Sequence, residues 1–300
     1  MPLRRRPPKL RGRPRRPEPL PPLRVSVVRY LNTAPLVWGL EHGRPRLRYR
    51  LSYTTPAACA DDLRAGRADL GIIPAIEYQR IPGLVLIPHL AVASERKVES
   101  VLLISRGPAR RARRVALDTS SRTSAALVRI LFARHWRREP EYVEAAPELS
   151  EMLEKADAAL LIGDPALQFL FHSPAARAAG LTREPNLHVY DLAEEWWRLT
   201  NLPFVFALWA VRPEAVRAPR DRRALVGDFL ESRRQGLENL KEIAHSAAAR
   251  LQLSSGQLER YLRQSIDFQL DAPELGGLES FFRYARELGL IEESRPLEFL

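Results

Sequence analysis

Short apolar runs and amphipathic segments alternate along the first third of the chain, which predicts a sheet covered by helices. Strands are predicted at 25–28, 47–53, 69–74, 85–87 and 100–104. Between them, helices are predicted from Pro35 through Leu40 and over 57–65, where Thr55 and Pro56 supply a cap and a first turn. The order β-α-β-α-β implies a mostly parallel sheet with helices on its faces.

A second unit of the same kind follows. The basic stretch 106–114 is interpreted as a crossing into a second domain. Beyond it, the pattern predicts strands at 115–117, 141–143 and 158–162, and helices over 122–136, 148–155, 191–199 and from Asp164 or Pro165. The run 203–210 is long enough to form a strand that returns to the first domain, and the pattern from Pro213 onward is helical. The expected domains are residues 24–105 with 207–300, and residues 106–206, with a ligand cleft between them.

The composition adds a tail to this picture. The 300 residues are 45% hydrophobic and 28% charged, which fits a globular protein with two ordinary cores. The net charge of +11 is uneven, because residues 1–23 carry eight basic residues against Glu18 alone and eight of the 25 prolines. This segment has no apolar run to bury, so we expect a disordered basic tail. A nucleic-acid or acidic-surface role for the tail stays an alternative, but a solvated extension or an over-long gene start is favoured, and no nucleic-acid partner is expected.

Cysteine usage and hydropathy indicate a cytoplasmic protein. Cys59 is the only cysteine, which excludes an intramolecular disulfide. The longest apolar run, 202–211, is too short to span a bilayer, and the tail lacks the hydrophobic region of a secretory signal. We therefore expect a monomer or homodimer in the cytoplasm with no membrane partner.

The stretch 118–124, Asp-Thr-Ser-Ser-Arg-Thr-Ser, carries the strongest sign of a binding site. It follows a buried strand and precedes a helix, so unpaired backbone N–H groups lie at the positive end of the helix dipole. Five hydroxyls and one guanidinium within six residues suit a carboxylate or phosphate. The candidates are Ser120, Ser121, Arg122, Thr123 and Ser124. From this segment alone, the alternative that the hydroxyls merely cap the helix is equally open.

Further polar residues lie at predicted strand ends or helix starts. Asn32 and Thr33 follow the first strand, and Ser100 begins another. Asn32 is either a turn residue or an amide placed against a ligand. Asp164 is either a helix cap or a charged group in the cleft, and Gly163 before it permits close approach of the backbone to a ligand.

Several kinds of chemistry find no support in the sequence. The phosphate-binding P-loop, the dinucleotide glycine fingerprint and the Gly-x-Ser-x-Gly motif of hydrolases are absent. The six histidines are scattered and do not have the spacing of metal ligands. No metal and no cofactor are therefore expected, and the residues alone do not define a reaction.

Six motifs, taken in order, resemble one known family. They are YLNTAPL at 30–36, AGRADLGIIPAIEY at 65–78, VESVLLISR at 98–106, LDTSSRTSAAL at 117–127, ALLIGDPAL at 159–167 and DLAEEWWRLTNLPFVFALWA at 191–210. Over roughly residues 24–300 the chain resembles chorismate dehydratase of the futalosine route to menaquinone. The resemblance implies an enzyme with a type 2 periplasmic-binding-protein-like fold, which has two α/β domains, a cleft between them and a helical C-terminal part.

The resemblance also implies a reaction and roles for residues. A carbon–oxygen lyase (hydro-lyase) of this family removes water from chorismate to give 3-[(1-carboxyvinyl)oxy]benzoate. Asn32 would be the catalytic hydrogen-bonding residue, while Ser100 and the 120–124 turn would hold the two substrate carboxylates. Thr33, Gly163 and Asp164 would complete the binding site. We hypothesise that the enolpyruvyl carboxylate of the substrate itself takes the proton.

Two alternatives to the dehydratase remain. The first is 1,4-dihydroxy-6-naphthoate synthase, a family with the same fold that carries Ile-His-Glu where this chain has Ile162-Gly163-Asp164; the missing histidine argues against it. The second is a protein that binds a small carboxylate without catalysis, for which we would expect an export signal or an output domain.

Overall fold

The computed structural model describes residues 21–172, 187–216 and 218–300, and these residues form two lobes, each built on a five-stranded sheet. Most of the tail expected over residues 1–23 lies outside the described residues, and Leu23 already belongs to the first strand.

The strands in chain order are β1 (Leu23–Val28), β2 (Tyr49–Thr54), β3 (Leu70–Pro74), β4 (Val85–Ser94), β5 (Val101–Ser105), β6 (Arg114–Asp118), β7 (Glu141–Ala145), β8 (Ala158–Ile162), β9 (His188–Asp191) and β10 (Phe204–Val211). The α-helices are α1 (Ala34–His42), α2 (Pro56–Arg64), α3 (Ala75–Arg80), α4 (Arg122–Leu131), α5 (Leu149–Lys155), α6 (Gly163–His172), α7 (Leu192–Thr200), α8 (Pro219–Glu238), α9 (Leu240–Leu251), α10 (Ser255–Gln264) and α11 (Ala272–Glu287). Short 3-10 turns occur at Leu31–Thr33, Arg44–Arg48, Ala109–Arg111 and Pro213–Ala215, and a π-helical turn at Phe132–Trp136.

The first sheet has the order β2-β1-β3-β10-β4. β1 pairs in parallel with β2 and β3, as the β-α-β-α-β pattern predicts, whereas β10 is antiparallel to both of its neighbours. β2 begins at Tyr49 rather than at residue 47, because the 3-10 turn Arg44–Arg48 takes up the preceding residues. β10 therefore lies inside the first sheet, between β3 and β4, although it is the last strand in the chain.

The second sheet repeats the plan, with the order β7-β6-β8-β5-β9. β6 is parallel to β7 and β8, while β5 is antiparallel to β8 and β9. The edge strand β9 was not predicted, since its four residues, His-Val-Tyr-Asp, contain no apolar run. The helix predicted over 122–136 is present as α4 followed by the π-helical turn.

The first crossing between the lobes lies earlier than expected. β4 closes the first sheet and β5 already pairs in the second, so the chain crosses over residues 95–100. The expected limits 24–105, 106–206 and 207–300 therefore assign β5 and the first residues of β10 to the opposite lobe from their own sheets. The basic stretch 106–114 is an exposed connection inside the second lobe, because charge and proline mark a solvated loop as readily as a link between domains.

A shared core joins the lobes near the return crossing. The Trp196 ring packs edge-on against Phe204 and Phe281, and its indole N–H donates to the carbonyl of Pro203 at 3.1 Å. Among the C-terminal helices, α8 packs against α1, while α11 contacts both β10 and α4. The predicted helical C-terminal part thus covers the first lobe and also touches the second.

Candidate active site

The carboxyl ends of strands from both sheets face a common cavity between the lobes. It is lined by Val28, Tyr30, Asn32, Thr33, Pro56, Pro74, Val92, Val98, Val101, Ser121, Arg122, Thr123, Ile162, Gly163, Phe206 and Ala207. Its volume of about 60 Å³ is small compared with typical ligand pockets of roughly 300–1,000 Å³. The lobes therefore lie in a closed arrangement, and a ligand the size of a substituted six-membered ring requires them to part.

Asn32 reaches this cavity from the 3-10 turn Leu31–Thr33, which is held on both sides. The hydroxyl of Thr33 donates within its own lobe, to the carbonyls of Val28 at 2.6 Å and Tyr30 at 2.8 Å. From the other lobe, the carboxylate of Asp164 accepts the backbone N–H of Leu31 at 2.9 Å. Hydrogen bonds thus hold both neighbours of Asn32. The backbone from which its half-buried side chain extends is therefore held in place.

The N-terminus of α4 forms the opposite wall. Ser121 is the N-cap residue, yet its side chain makes no capping hydrogen bond, and it is buried against the cavity. The hydroxyl of Ser120 is used locally, since it donates to Asp118 at 2.7 Å. The hydroxyl of Thr123 accepts the backbone N–H of Ile76 from the first lobe at 3.2 Å. Ser121 thus lines the cavity without capping α4 through its side chain, and it lies where a ligand anion would meet the helix N-terminus.

Arg122 lines the cavity, but two carboxylates of the first lobe already bind its guanidinium. Both of its terminal nitrogens donate to Asp61, at 3.0 and 2.9 Å, and one also donates to the buried Glu77 at 3.0 Å. The hydrogen bond from Arg122 lowers the pKa of Asp61. Arg122 therefore joins the lobes. To bind a substrate carboxylate, its guanidinium would have to give up a hydrogen bond to Asp61 or Glu77.

Gly163 is a point of close approach between the two lobes at the cavity. Its φ of +63° lies in the left-handed region, and a β-carbon at this position would lie 2.5 Å from the ring of Tyr30. Its N–H donates to the carbonyl of Ser100 at 2.7 Å. Only glycine satisfies both the backbone conformation and the contact with the aromatic ring.

Asp164 acts as a link between lobes and is not an unpaired charge in the cleft. One carboxylate oxygen accepts the N–H of Leu31, and the other accepts Arg250 of α9 at 2.6 Å. Both oxygens are occupied by groups outside α6 and the side chain is buried, so the described contacts show neither a helix cap nor a free charge at this residue.

Ser100 has a partner that the sequence did not suggest. Ser100 is fully buried, and its hydroxyl accepts a hydrogen bond from Tyr261 of α10 at 2.8 Å. Burial raises the pKa of Tyr261, and the hydrogen bond with Ser100 partly opposes that rise. Tyr261 lies on the buried face of α10 with Leu258 and Leu262, and nothing in the local sequence distinguishes it from a core residue.

The structure therefore brings some of the predicted site residues together and separates others. The cavity lining includes Asn32, Thr33, Ser121, Arg122, Thr123 and Gly163. The other four predicted residues, Ser100, Ser120, Ser124 and Asp164, are not among the lining residues. Tyr30 and Phe206 are lining residues that sequence reasoning did not select, since aromatic residues near strand ends are most often core.

Within residues 21–172, 187–216 and 218–300, no three His, Cys, Asp or Glu side chains come together in a way that could hold a metal ion. The helices of the described part of the chain include none that is both long and apolar enough to cross a bilayer.

A family model described as menaquinone biosynthesis matches residues 23–287. The chain belongs to this menaquinone-biosynthesis family. The resemblance drawn from the six motifs is thereby confirmed. Over 275 residues, which are 90% of this chain and 96% of the relative, the chain is 35% identical to the chorismate dehydratase of Thermus thermophilus.

Solved structures confirm the predicted periplasmic-binding-protein-like fold for this member of the menaquinone-biosynthesis family. A protein from Archaeoglobus fulgidus, AF1704, matches with a TM-score of 0.69 at 18% identity and covers 90% of this chain and 98% of its own. The periplasmic aliphatic sulphonate binding protein SsuA from Escherichia coli matches with a TM-score of 0.63 at 14% identity, with 94% of each chain covered. At these identities the likeness describes the fold alone.

Replacement of Gly163 by alanine should destabilise the protein and block the closed arrangement. We expect Gly163→Ala to lower the free energy of unfolding by about 2 kcal/mol or more, because the left-handed conformation and the overlap with the Tyr30 ring both oppose a β-carbon. The measurement is urea denaturation followed by tryptophan fluorescence.

Gly227→Ala is the matched control, since Gly227 lies in α8 and a β-carbon there would meet nothing within 4 Å. This variant should be more stable than the wild type by up to about 1 kcal/mol. A Gly163→Ala protein as stable as the wild type would contradict the close approach described for this position.

Proposed function

We propose that this protein is a chorismate dehydratase, a carbon–oxygen lyase that removes water from chorismate to give 3-[(1-carboxyvinyl)oxy]benzoate. Membership of the menaquinone-biosynthesis family and the name of the Thermus thermophilus relative support this proposal. The chemistry of the cavity supports it independently of any name.

The observation that carries the proposal is the composition of the cavity wall. Among the lining residues there is an amide, there are hydroxyls and one arginine, but there is no carboxylate, imidazole or amine to serve as a general base. The nearby carboxylates of Asp61, Glu77 and Asp164 are occupied by arginines or by backbone N–H groups. A cavity without such a base suits a reaction in which a group of the substrate itself accepts the proton.

Chorismate has this property. Loss of the hydrogen from C3 and of the hydroxyl from C4 makes the ring aromatic, which drives the reaction. The enolpyruvyl carboxylate is joined to C3 through the ether oxygen, so it can take the C3 proton without a protein base. In this proposal the departing hydroxide and that proton leave together as water, and the enzyme contributes orientation and electrostatic stabilisation.

Each part of the wall then has a role that fits its chemistry. Asn32 hydrogen-bonds the enolpyruvyl carboxylate and orients it towards C3. Ser121, Thr123 and the backbone N–H groups of α4 hold the ring carboxylate, which the helix dipole attracts. The apolar lining from Val98, Val101 and Phe206 excludes water from the ring. Arg122 adds positive potential from the edge of the cavity.

The two alternatives fit less well. A synthase that uses a histidine base would carry it where this chain has Gly163, whose conformation and contact with Tyr30 leave no room for a side chain. A non-catalytic binder of a small carboxylate would need the same anion contacts but no ordered amide beside them. We further propose that the reaction takes place in the cytoplasm, where a biosynthetic enzyme would meet chorismate.

The turnover experiment separates the dehydratase from the non-catalytic binder. Purified protein incubated with chorismate should yield a product lighter by one water with the enolpyruvyl group retained, as detected by mass spectrometry. A heat-denatured sample is the control for spontaneous rearrangement of chorismate. Binding of chorismate without turnover would favour the non-catalytic binder and overturn the dehydratase.

Asn32→Ala should lower kcat by about 100-fold or more, since it removes a hydrogen bond at the position where charge is redistributed. The fold should be unchanged, because the turn that carries Asn32 is held by Thr33 and Asp164. Asn239→Ala is the matched control: the side chain of this half-buried asparagine donates to the carbonyl of Gln235 in α8 and is not among the lining residues, so its loss should leave kcat unaltered. Wild-type kcat in Asn32→Ala would refute the catalytic assignment.

The rate should not depend on pH between about pH 7 and 9. Burial raises the pKa values of both Tyr30 and Tyr261 above the ordinary value, so each phenol stays protonated and neutral throughout this range. The substrate carboxylates are ionised at every pH in it, and no lining side chain titrates there. Steady-state measurements of kcat/KM check this, and a bell-shaped profile with an apparent pKa near 7 would indicate a protein base instead.

A further inference from the structure

We propose that Asp61 is an internal competitor for the substrate. In the closed arrangement its carboxylate occupies the edge of the Arg122 guanidinium that the ring carboxylate of the substrate takes on binding. Asp61 then controls affinity without touching the reacting atoms. The inference rests on the proposed function, since it concerns the anion-binding end of the same site, and it identifies the partner that Arg122 gives up.

The pairing of Asp61 with Arg122 is a two-point contact. The two terminal nitrogens of Arg122 donate to the two different oxygens of Asp61, at 3.0 and 2.9 Å. A guanidinium binds any suitably placed carboxylate in this way, including one on a ligand. Arg122 is the first residue of α4 and lines the cavity, whereas Asp61 is not among the lining residues. A substrate carboxylate at the N-terminus of α4 therefore competes with Asp61 for the same N–H groups.

Glu77, the second partner of Arg122, is the one that stays. Its side chain is only 1% exposed, and it also accepts Arg64 at 2.5 Å and Arg80 at 3.1 Å. Withdrawal of a guanidinium from a buried carboxylate is costly, because water cannot replace it. The side chain of Asp61, by contrast, is 42% exposed, so its carboxylate can turn towards water at little cost. The difference in burial selects Asp61 for the exchange.

Asp61 keeps a partner after the exchange. Arg64, three residues further along α2, donates to its Oδ1 at 2.6 Å. Three guanidiniums and two carboxylates make up the whole cluster, namely Arg64, Arg80, Arg122, Asp61 and Glu77. Three positive charges against two negative charges leave one positive charge in excess. A ligand carboxylate brings the sum to zero, and no member of the cluster is left without an ion pair.

Arg122 has room to change partners. Together with Ser121 it lines the central cavity, and both residues also line a second cavity of about 180 Å³ that is bordered by Arg80 and Arg129. Free space thus adjoins the Arg122 side chain in both cavities. A shift of the guanidinium from Asp61 towards a ligand therefore needs no rearrangement of the packed core.

The exchange contributes selectivity and lowers affinity. Asp61 belongs to the first lobe and Arg122 to the second, so their ion pair also joins the lobes. A ligand without a carboxylate at the α4 end offers the guanidinium nothing in place of Asp61, whereas a carboxylate replaces it fully. The affinity for the correct ligand is reduced as well, because each binding event must first release Asp61.

The first test measures chorismate turnover by Asp61→Asn and Asp61→Ala. Both variants remove the competing charge, so KM should fall by about 3- to 20-fold while kcat changes by less than about twofold. If Asp61 served instead to position Arg122 for the substrate, both variants would raise KM. A KM that rises or stays at the wild-type value overturns the proposal. If one variant does not fold, as judged by circular dichroism, the other decides.

Asp62→Asn is the matched control. Asp62 is the next residue of α2 and has the same charge, but its carboxylate accepts Ser26 at 3.0 Å and Arg67 at 2.8 Å, both within the first lobe. Loss of this charge should leave KM within about twofold of the wild-type value, since solvent and salt screen charges that make no direct contact. An equal fall in KM for Asp61→Asn and Asp62→Asn would indicate a general effect of net charge and overturn the proposal.

Binding of benzoate tests the exchange independently of turnover. Benzoate carries a ring carboxylate and cannot lose water, so isothermal titration calorimetry reports its affinity alone. Asp61→Asn should bind benzoate about 3- to 20-fold more tightly than the wild type does and should bind the neutral benzamide no better. An equal gain for both ligands, or no binding of benzoate by Asp61→Asn, overturns the proposal. A wild-type protein that does not convert chorismate refutes the proposed function, while the benzoate comparison still decides the exchange.

Discussion

The contact between the lobes at Gly163 is the constraint on which the rest of the site depends. The two sheets end on opposite sides of the cleft, and they form one cavity only if their backbones meet there. Gly163 permits this because it has no side chain between the second sheet and the Tyr30 ring. Asp164, the next residue, binds the N–H of Leu31 from the first lobe and Arg250 from α9. The geometry of Asn32 is therefore set by a residue of the opposite lobe, and the site is complete only when the lobes are closed.

Closure also determines the electrostatics of the cavity. Arg122 is the only cationic side chain in the described lining, yet Asp61 and Glu77 of the first lobe already offset its charge. A ligand carboxylate therefore meets mainly N–H groups and hydroxyls, whose attraction is directional, instead of an uncompensated positive charge. Directional contacts hold an anion in one orientation, and orientation is the main contribution that the proposed dehydration requires of the protein. The same ion pairs tie α4 of the second lobe to α2 and α3 of the first.

The sequence predicted those parts of the fold that a local pattern encodes. Buried strands such as 158–162 appear as continuous apolar runs, and the 118–124 turn combines hydroxyls with a helix start, so both were predicted from neighbours in the chain. The edge strand β9 and the crossing at 95–100 were missed because pairing with distant strands defines them and composition does not. The tie of Arg122 to Asp61, and the bond of Tyr261 to Ser100, join residues 61 and 161 positions apart. Such contacts leave no mark in the spacing of either segment, which is why Tyr261 looked like an ordinary core residue and Arg122 like an available cation.

The likeness to SsuA raises the question of how a fold shared with a binding protein could support catalysis here. A cavity that recognises an anion through hydroxyls and a helix N-terminus needs no base to bind its ligand, and this cavity shows no base among the lining residues. If the ligand carries a carboxylate within reach of its own acidic hydrogen, the protein has only to hold that carboxylate in the reactive orientation. The step from binding to catalysis then lies in the rigidity of one amide. Hydrogen bonds of Thr33 within its own lobe and of Leu31 to Asp164 of the other lobe hold the turn that carries this amide, and both are made by buried groups.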